Sequence, residues 1–275
     1  MIRRLRMCAG AAALGFVALA AAHDEARAQT LPTPRLYVFD CGTLAGRNLR
    51  TYGLPAEPRD MSVACALVVD GERRLLWETG LGDRFAEGKE TPRDPGWRVG
   101  RTLRSQLAEI GVEPPAITYL AISHMHADHT GNANDYAGAT WLVQEAEREA
   151  AFRQGQDTSS YRALADSRTI VLHGDHDVFG DGVATLVSTP GHTPGHQSLL
   201  VKLPHTGAIL LSGDLYHYPA ERAAKTFPSF EFDRAKTAAS RAAIEALVDR
   251  LHAQLWIEHD ILGYSRLKKA PAYYD

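Results

Sequence analysis

The sequence predicts an α/β fold in which two β-sheets pack face to face and carry helices on their outer sides. Three observations lead there. The 275 residues, 45% hydrophobic with 23 Gly and 14 Pro, can build a sizeable core and show no bias toward disorder or fibrous structure. Short strand-like segments lie on both sides of two helical stretches, and such elements bury their apolar faces only by layering. No repeat of 20–50 residues marks a solenoid or a propeller.

The elements follow in order. Leu36–Cys41 and Val63–Val69 alternate or run apolar with β-formers, and Asp70-Gly71 turns the chain into Leu75–Trp77, a hairpin signal. Residues 43–60 hold Gly, Pro and Arg without periodicity and read as a long loop of the kind that borders a site. Val99–Ile110 carries apolar residues at helical spacing and is ended by Gly111 and Pro114. Ile117–Ile122 reads as a buried strand delivering the chain into Ser123-His124-Met125-His126-Ala127-Asp128-His129. A strand at Thr140–Val143, a charged helix over Glu145–Phe152, a polar loop near 153–160 and strands at Thr169–Leu172 and Val183–Val187 come next. Gln197–Leu203 and Ala208–Leu211 are two further strands. Asp233 has the side chain to cap a helix reaching about Leu251, and Leu255–Ile257 leads into Glu258-His259-Asp260.

The N-terminus reads as a targeting segment. Arg3, Arg4 and Arg6 precede an apolar run from Met7 to Ala22, and Ala26-Arg27-Ala28 supplies small residues at a cleavage site. The alternative, a membrane anchor, needs roughly 20 apolar residues, and this run is shorter. Residues 1–28 are therefore expected to be a signal peptide and 29–275 one globular domain, periplasmic or secreted, without membrane association after cleavage. The net charge of −3, falling to −5 without the leader, gives no footprint for nucleic acid. In an oxidising compartment Cys41 and Cys65 have two readings, a disulfide or a pair of buried thiols that behave as small hydrophobes.

Three histidines and an aspartate within six residues form a metal-ligand pattern. His124 and His126, two apart in an extended segment, point to the same side, and Asp128 and His129 lie beyond a bend. His192, Asp214 and His259 each follow a strand elsewhere in the chain. Imidazole and carboxylate suit zinc or a similar divalent ion, and seven such groups exceed the three that one catalytic ion needs. The expected division is His124, His126 and His192 on one metal and Asp128, His129 and His259 on the other, with Asp214 bridging. His173, His176, His205 and His252 lack partners at ligand spacing, His196 is expected to orient its loop by hydrogen bonds, and Asp175 and Asp177 read as turn residues.

HMHADH at 124–129, TPGHTPGH at 189–196, SGD at 212–214 and EHD at 258–260, in this order, resemble the metallo-β-lactamase superfamily. The resemblance implies an αββα sandwich of two mixed β-sheets flanked by helices, a dinuclear site at one edge of the sheets and hydrolysis by a metal-activated water. The family's early Asp-Thr-Gly turn appears here as Glu78-Thr79-Gly80, a departure that puts in doubt a contact to a ligand, not a ligand itself. Asp214 argues against the β-lactamases proper. The segments 189–200 and Pro228–Asp233 resemble the N-acyl homoserine lactonase group.

That group implies opening of a lactone ring, quorum quenching, and a tyrosine just after the bridging aspartate that touches the substrate carbonyl. Tyr216, in a stretch whose register differs and which also holds His217 and Tyr218, is the expected counterpart. Asp128 is expected to protonate the leaving alkoxide. The rival readings are a hydrolase of organophosphates or aryl esters, a β-lactamase, a thioesterase, and outside enzymology a metal-binding protein without turnover. The expected partners are a small lactone or ester and two divalent ions, zinc first; a homodimer stays open.

Overall fold

In a computed structural model of the chain, residues 33–86, 94 and 96–275 are described. The leader expected at 1–28 lies outside them. The strands are β1 (Arg35–Asn48), β2 (Pro58–Asp70), β3 (Arg73–Trp77), β4 (Trp97–Arg98), β5 (Tyr119–Ala121), β6 (Thr140–Gln144), β7 (Thr169–Leu172), β8 (His176–Asp177), β9 (Ala184–Ser188), β10 (Gln197–Leu203), β11 (Gly207–Leu211) and β12 (Gln254–Trp256). The α-helices are α1 (Leu103–Glu109), α2 (Glu145–Ala151), α3 (Pro219–Ala224), α4 (Arg234–Leu251) and α5 (Ile261–Arg266). They build a seven-stranded sheet, ordered β4-β1-β2-β3-β5-β6-β7, and a five-stranded sheet, ordered β12-β11-β10-β9-β8. Both sheets are mixed: β3, β5, β6 and β7 pair in parallel, as do β11 and β12, and the remaining pairs are antiparallel.

The alternation of side chains along each strand makes the layers. Leu75 and Trp77 of β3, Leu142 of β6, Leu199 and Val201 of β10 and Ile209 of β11 share one buried cluster between the sheets. Leu76, Leu120, Trp141 and Val143, from the opposite face of the larger sheet, pack with Leu103 and Leu107 of α1. Leu200 and Leu210, from the opposite face of the smaller sheet, pack with Ile244 and Val248 of α4. The order is thus helix, sheet, sheet, helix. Each of these leucines, taken from water to full burial, contributes roughly 1.5–3 kcal/mol. Among the described residues no helix is long and apolar enough to cross a membrane.

Most expected elements appear within a residue or two of their places, and three readings change. Residues 43–60 are not a long loop: β1 runs through bulges to Asn48, a 3-10 turn spans Leu49–Tyr52, and β2 begins at Pro58. Polar residues fill this stretch because the outer ends of β1 and β2 are exposed, which hides their pairing from a hydrophobicity pattern. The first helix begins at Leu103, capped by Thr102, because Val99 belongs to a bridge with Ala86. Cys41 and Cys65 form a disulfide that joins β1 to β2 across a sequence separation of 24. The helix start at Asp233 matches its expectation, with Oδ1 accepting the amides of Ala235 and Lys236.

Closing a loop of that length in the unfolded chain is worth roughly 3 kcal/mol. The double variant Cys41→Ala/Cys65→Ala is expected to lose about that much in denaturant unfolding, and an unchanged midpoint would show that the bridge adds nothing.

Candidate metal centre

Strand direction gathers the site. β3 and β5 run parallel, so Glu78-Thr79-Gly80 and Ser123–His129 leave the larger sheet at the same end. In the smaller sheet β9 and β11 each oppose β10, and β12 parallels β11, so Thr189–His192, Ser212–Asp214 and Glu258–His259 also leave at one end. Gly213 lets these loops meet: it has φ +52°, and a Cβ there would stand 2.6 Å from that of Ser123.

All seven expected ligands come together. Asp214 is buried at the middle. Its Oδ2 lies 3.7 Å from His124 Nε2 and 3.4 Å from His192 Nε2, and its Oδ1 lies 3.3 Å from His129 Nε2 and 3.1 Å from His259 Nε2. His126 Nδ1 is 2.8 Å from His124 Nε2 and 3.2 Å from His192 Nε2. Asp128 Oδ2 is 3.8 Å from His129 Nε2 and 3.6 Å from His259 Nε2. The donor atoms of His124, His126, His192 and Asp214 lie within 4.8 Å of one another, and so do those of Asp128, His129 and His259.

This set fits two cations. His129 Nε2 and Asp214 Oδ1 are buried with no hydrogen-bond partner, an arrangement that costs free energy unless a positive charge sits between them. The far nitrogens are occupied: His124 Nδ1 meets Ser123 Oγ at 2.9 Å, His129 Nδ1 meets Glu78 Oε2 at 3.2 Å, His192 Nδ1 meets Glu231 Oε1 at 3.1 Å, and His259 Nδ1 donates to the Ser62 carbonyl at 2.7 Å. The acceptors Glu231 and the Ser62 carbonyl fix the tautomers that turn the Nε2 lone pairs of His192 and His259 inward. Glu78, the departure from the usual aspartate, keeps a contact to His129 and also accepts the Ser123 amide.

His196 does what its position suggested. Its Nδ1 donates to the Thr189 carbonyl at 3.1 Å and its Nε2 accepts the Asp214 amide at 3.0 Å, and burial drives it down to about 3, so it stays neutral. His173 and His205 are exposed, with Nδ1 3.4 Å from Glu145 Oε2 and 3.5 Å from Asp275 Oδ2, and His252 is the left-handed residue that ends α4. Asp175 accepts the amide of Ser188 at the end of β9, and Asp177 accepts the loop amides of Gly180 and Gly182 although it also belongs to β8.

Tyr216 is a correction. Its hydroxyl donates to Glu245 Oε1 at 2.8 Å, and its ring packs under Arg241 in the layer between the smaller sheet and α4, on the side away from the ligands. His217 enters the site instead, with Nε2 3.1 Å from Asp214 Oδ2 and Nδ1 3.4 Å from Glu221 Oε1. Glu221 also receives Arg241 Nη2 at 3.2 Å. Leu44, Arg47, Tyr52, Met61, Trp97 and Phe230 border the open side, a cleft of about 270 Å³ that reaches His126, Asp128, His217 and His259.

Glu231, Glu221 and Glu147 were not foreseen as part of the site. Glu231 alone left a trace, a carboxylate between Phe230 and Phe232.

The sequence profile of the Metallo-beta-lactamase superfamily matches residues 58–252. The chain belongs to this superfamily. It is 34% identical over 190 residues to the N-acyl homoserine lactonase AttM of Azorhizobium caulinodans, covering 66% of this chain and 72% of that protein. It is 30% identical over 230 residues to an N-acyl homoserine lactonase of a Bacillus species, covering 80% and 89%. The fold is similar to that of an N-acyl homoserine lactone hydrolase holding N-hexanoyl-L-homoserine at its catalytic metal center, with a TM-score of 0.75 and 24% identity over 88% of this chain and 99% of that one. A second structure of similar fold is that of AidC, a dizinc quorum-quenching lactonase, with a TM-score of 0.63, 18% identity and coverage of 88% and 94%.

Protonation in the metal-free protein is set by the same groups. Burial opposes charge on Asp214, but His259, His129, His217 and His124 outweigh it and hold the carboxyl well below its usual range. Burial likewise lowers His129, His217 and His259, yet Glu78, Asp214, Asp128 and Glu221 raise them, His217 up to about 10. Above pH 6.5 the unfolded chain has shed protons that these folded imidazoles keep, so stability falls as pH rises. The metal-free protein is therefore expected to lose stability between pH 6.5 and about 10. Metal affinity, which requires neutral imidazoles, is expected to rise over the lower part of that window. Denaturant unfolding with chelator at pH 6.5 and 9 checks the sign; a metal-free protein that gains stability over this range contradicts it.

Proposed function

We propose that this chain is a dinuclear metal-dependent hydrolase that opens the lactone ring of N-acyl homoserine lactones, with zinc in both positions. The observation that carries the reading is the Asp214 carboxylate between two histidine groups, in a chain 34% and 30% identical to two proteins named N-acyl homoserine lactonase. His124, His126 and His192 would hold one ion and Asp128, His129 and His259 the other, with the Asp214 carboxylate between the two groups. When bound, the two ions supply Lewis acidity at the carbonyl and a water of lowered pKa.

The protein's own groups do the rest. Asp128 is a carboxylate ligand partly open to the cleft, and it takes the proton of the attacking water and returns it to the ring oxygen that leaves. His217 faces the reacting centre from beside Asp214, held by Glu221, in the role that the sequence assigned to Tyr216. Leu44, Tyr52, Met61, Trp97 and Phe230 give the cleft apolar walls suited to an acyl chain, and Arg47, paired with Asp94 at 2.7 Å, gives it a polar border. Export through the N-terminal leader belongs to the same reading and is supported by the Cys41–Cys65 bridge, which suits an oxidising compartment.

Purified, zinc-loaded protein assayed on acyl homoserine lactones, simple γ- and δ-lactones, a paraoxon-like triester, a thioester and nitrocefin tests the assignment. Lactones are expected to turn over fastest; triester turnover with lactones untouched would replace the leading reading with its rival. Asp214→Asn is expected to cost more than about 100-fold in kcat/KM, beyond the 10–100-fold typical of residues that merely orient ligands. His217→Ala is expected to cost more than Tyr216→Phe, which should stay within about tenfold, and the reverse order would return the role to Tyr216.

A further inference from the structure

His126 is the weakly supported member of its group. It is exposed, and its Nδ1 points into the centre, so that nitrogen is not available for the kind of bond that fixes His124, His129, His192 and His259. Its position therefore depends on its main chain. The partner it must meet, His192, arrives on a loop of the other sheet, and the facing nitrogens, 3.2 Å apart, offer each other no hydrogen bond once both turn lone pairs to an ion.

One side chain ties the two loops. Glu147, buried on α2 at 3% exposure, directs Oε1 to the amide of Met125, between His124 and His126, at 2.8 Å. Its Oε2 accepts the Thr193 hydroxyl at 2.7 Å and the Gly195 amide at 3.0 Å, both just past His192. The loop lies directly on the first turn of α2: a Cβ on Gly195 would stand 2.4 Å from the Glu147 nitrogen, so only glycine permits this approach. Three donors meet one buried carboxylate, and charge-assisted bonds of this kind are roughly twice as strong as neutral ones.

We infer that Glu147 is a positioning residue that sets the separation of His126 and His192 and thereby the affinity of the His124, His126 and His192 group for its ion. It touches neither ion nor substrate. A glutamine at this position keeps an acceptor for Met125 but turns an amide donor toward the Thr193 hydroxyl and the Gly195 amide, which opens the clamp on the His192 side. The inference rests on the two-ion reading given above.

The test is a titration of metal-free protein with Co²⁺ against a competing chelator, read by visible absorption. His126→Ala identifies which of the two binding steps belongs to this group. Glu147→Gln is expected to weaken that step by about 10–100-fold and to leave the other within about threefold, with circular dichroism and unfolding of the metal-free variant close to wild type. Thr193→Val, which removes one donor and keeps the shape, is expected to weaken the same step by less than about tenfold. Equal weakening of both steps, or of neither, in Glu147→Gln overturns the inference; should that variant fail to fold, an unchanged Thr193→Val overturns it. A wild-type protein that takes up no divalent ion overturns the two-ion reading itself, whereas two ions held alike by wild type and Glu147→Gln overturn only the role of Glu147.

Discussion

A buried carboxylate surrounded by imidazoles governs this structure. Asp214 has both oxygens within 3.1–3.7 Å of histidine nitrogens and is only 3% exposed. An anion taken out of water is tolerated only when opposite charge or hydrogen bonds replace its hydration. Here the replacement comes from five imidazoles on four segments, His124 and His129 on one and His192, His217 and His259 on the others, so nearly every loop at one end of the molecule must reach the same few ångströms.

The two-sheet architecture solves that geometric problem. Strands that run the same way release their loops at one end, and the antiparallel β10 lets β9 and β11 run in the same direction. The layer of Leu, Val, Ile and Trp side chains between the sheets holds the two sets of loops opposite each other. Buried carboxylates then finish the alignment, Glu78 on His129, Glu231 on His192, Glu221 on His217 and Glu147 on the main chain of both histidine loops. The rigidity of the centre therefore comes as much from these anions as from the ligands they orient.

What the sequence disclosed and what it hid divide along physical lines. Buried strands such as Thr140–Gln144 and Gln197–Leu203, and the Asp233-capped helix, announce themselves because burial and capping dictate residue type over a few consecutive positions. The seven ligand candidates were legible because histidine is costly to cluster without cause. The outer half of β1 was hidden, since a polar, bulged strand lacks the alternation that marks burial. The place of Tyr216 was hidden too: the 3-10 turn at Gly213–Leu215 rotates the chain so that His217 faces the ligands, and no local pattern fixes that rotation. Glu147 resembles Glu145 and Glu149 in sequence, and only the fold turns one of the three inward.

The central claim is that Asp214 stands between two metal positions. Anomalous diffraction from crystals of the zinc-loaded protein, collected on both sides of the zinc edge, tests it most directly. Two peaks roughly 3.5–4 Å apart, one on the His124, His126 and His192 side of Asp214 and one on the Asp128, His129 and His259 side, are the predicted result. A single peak, or two peaks away from Asp214, would contradict it.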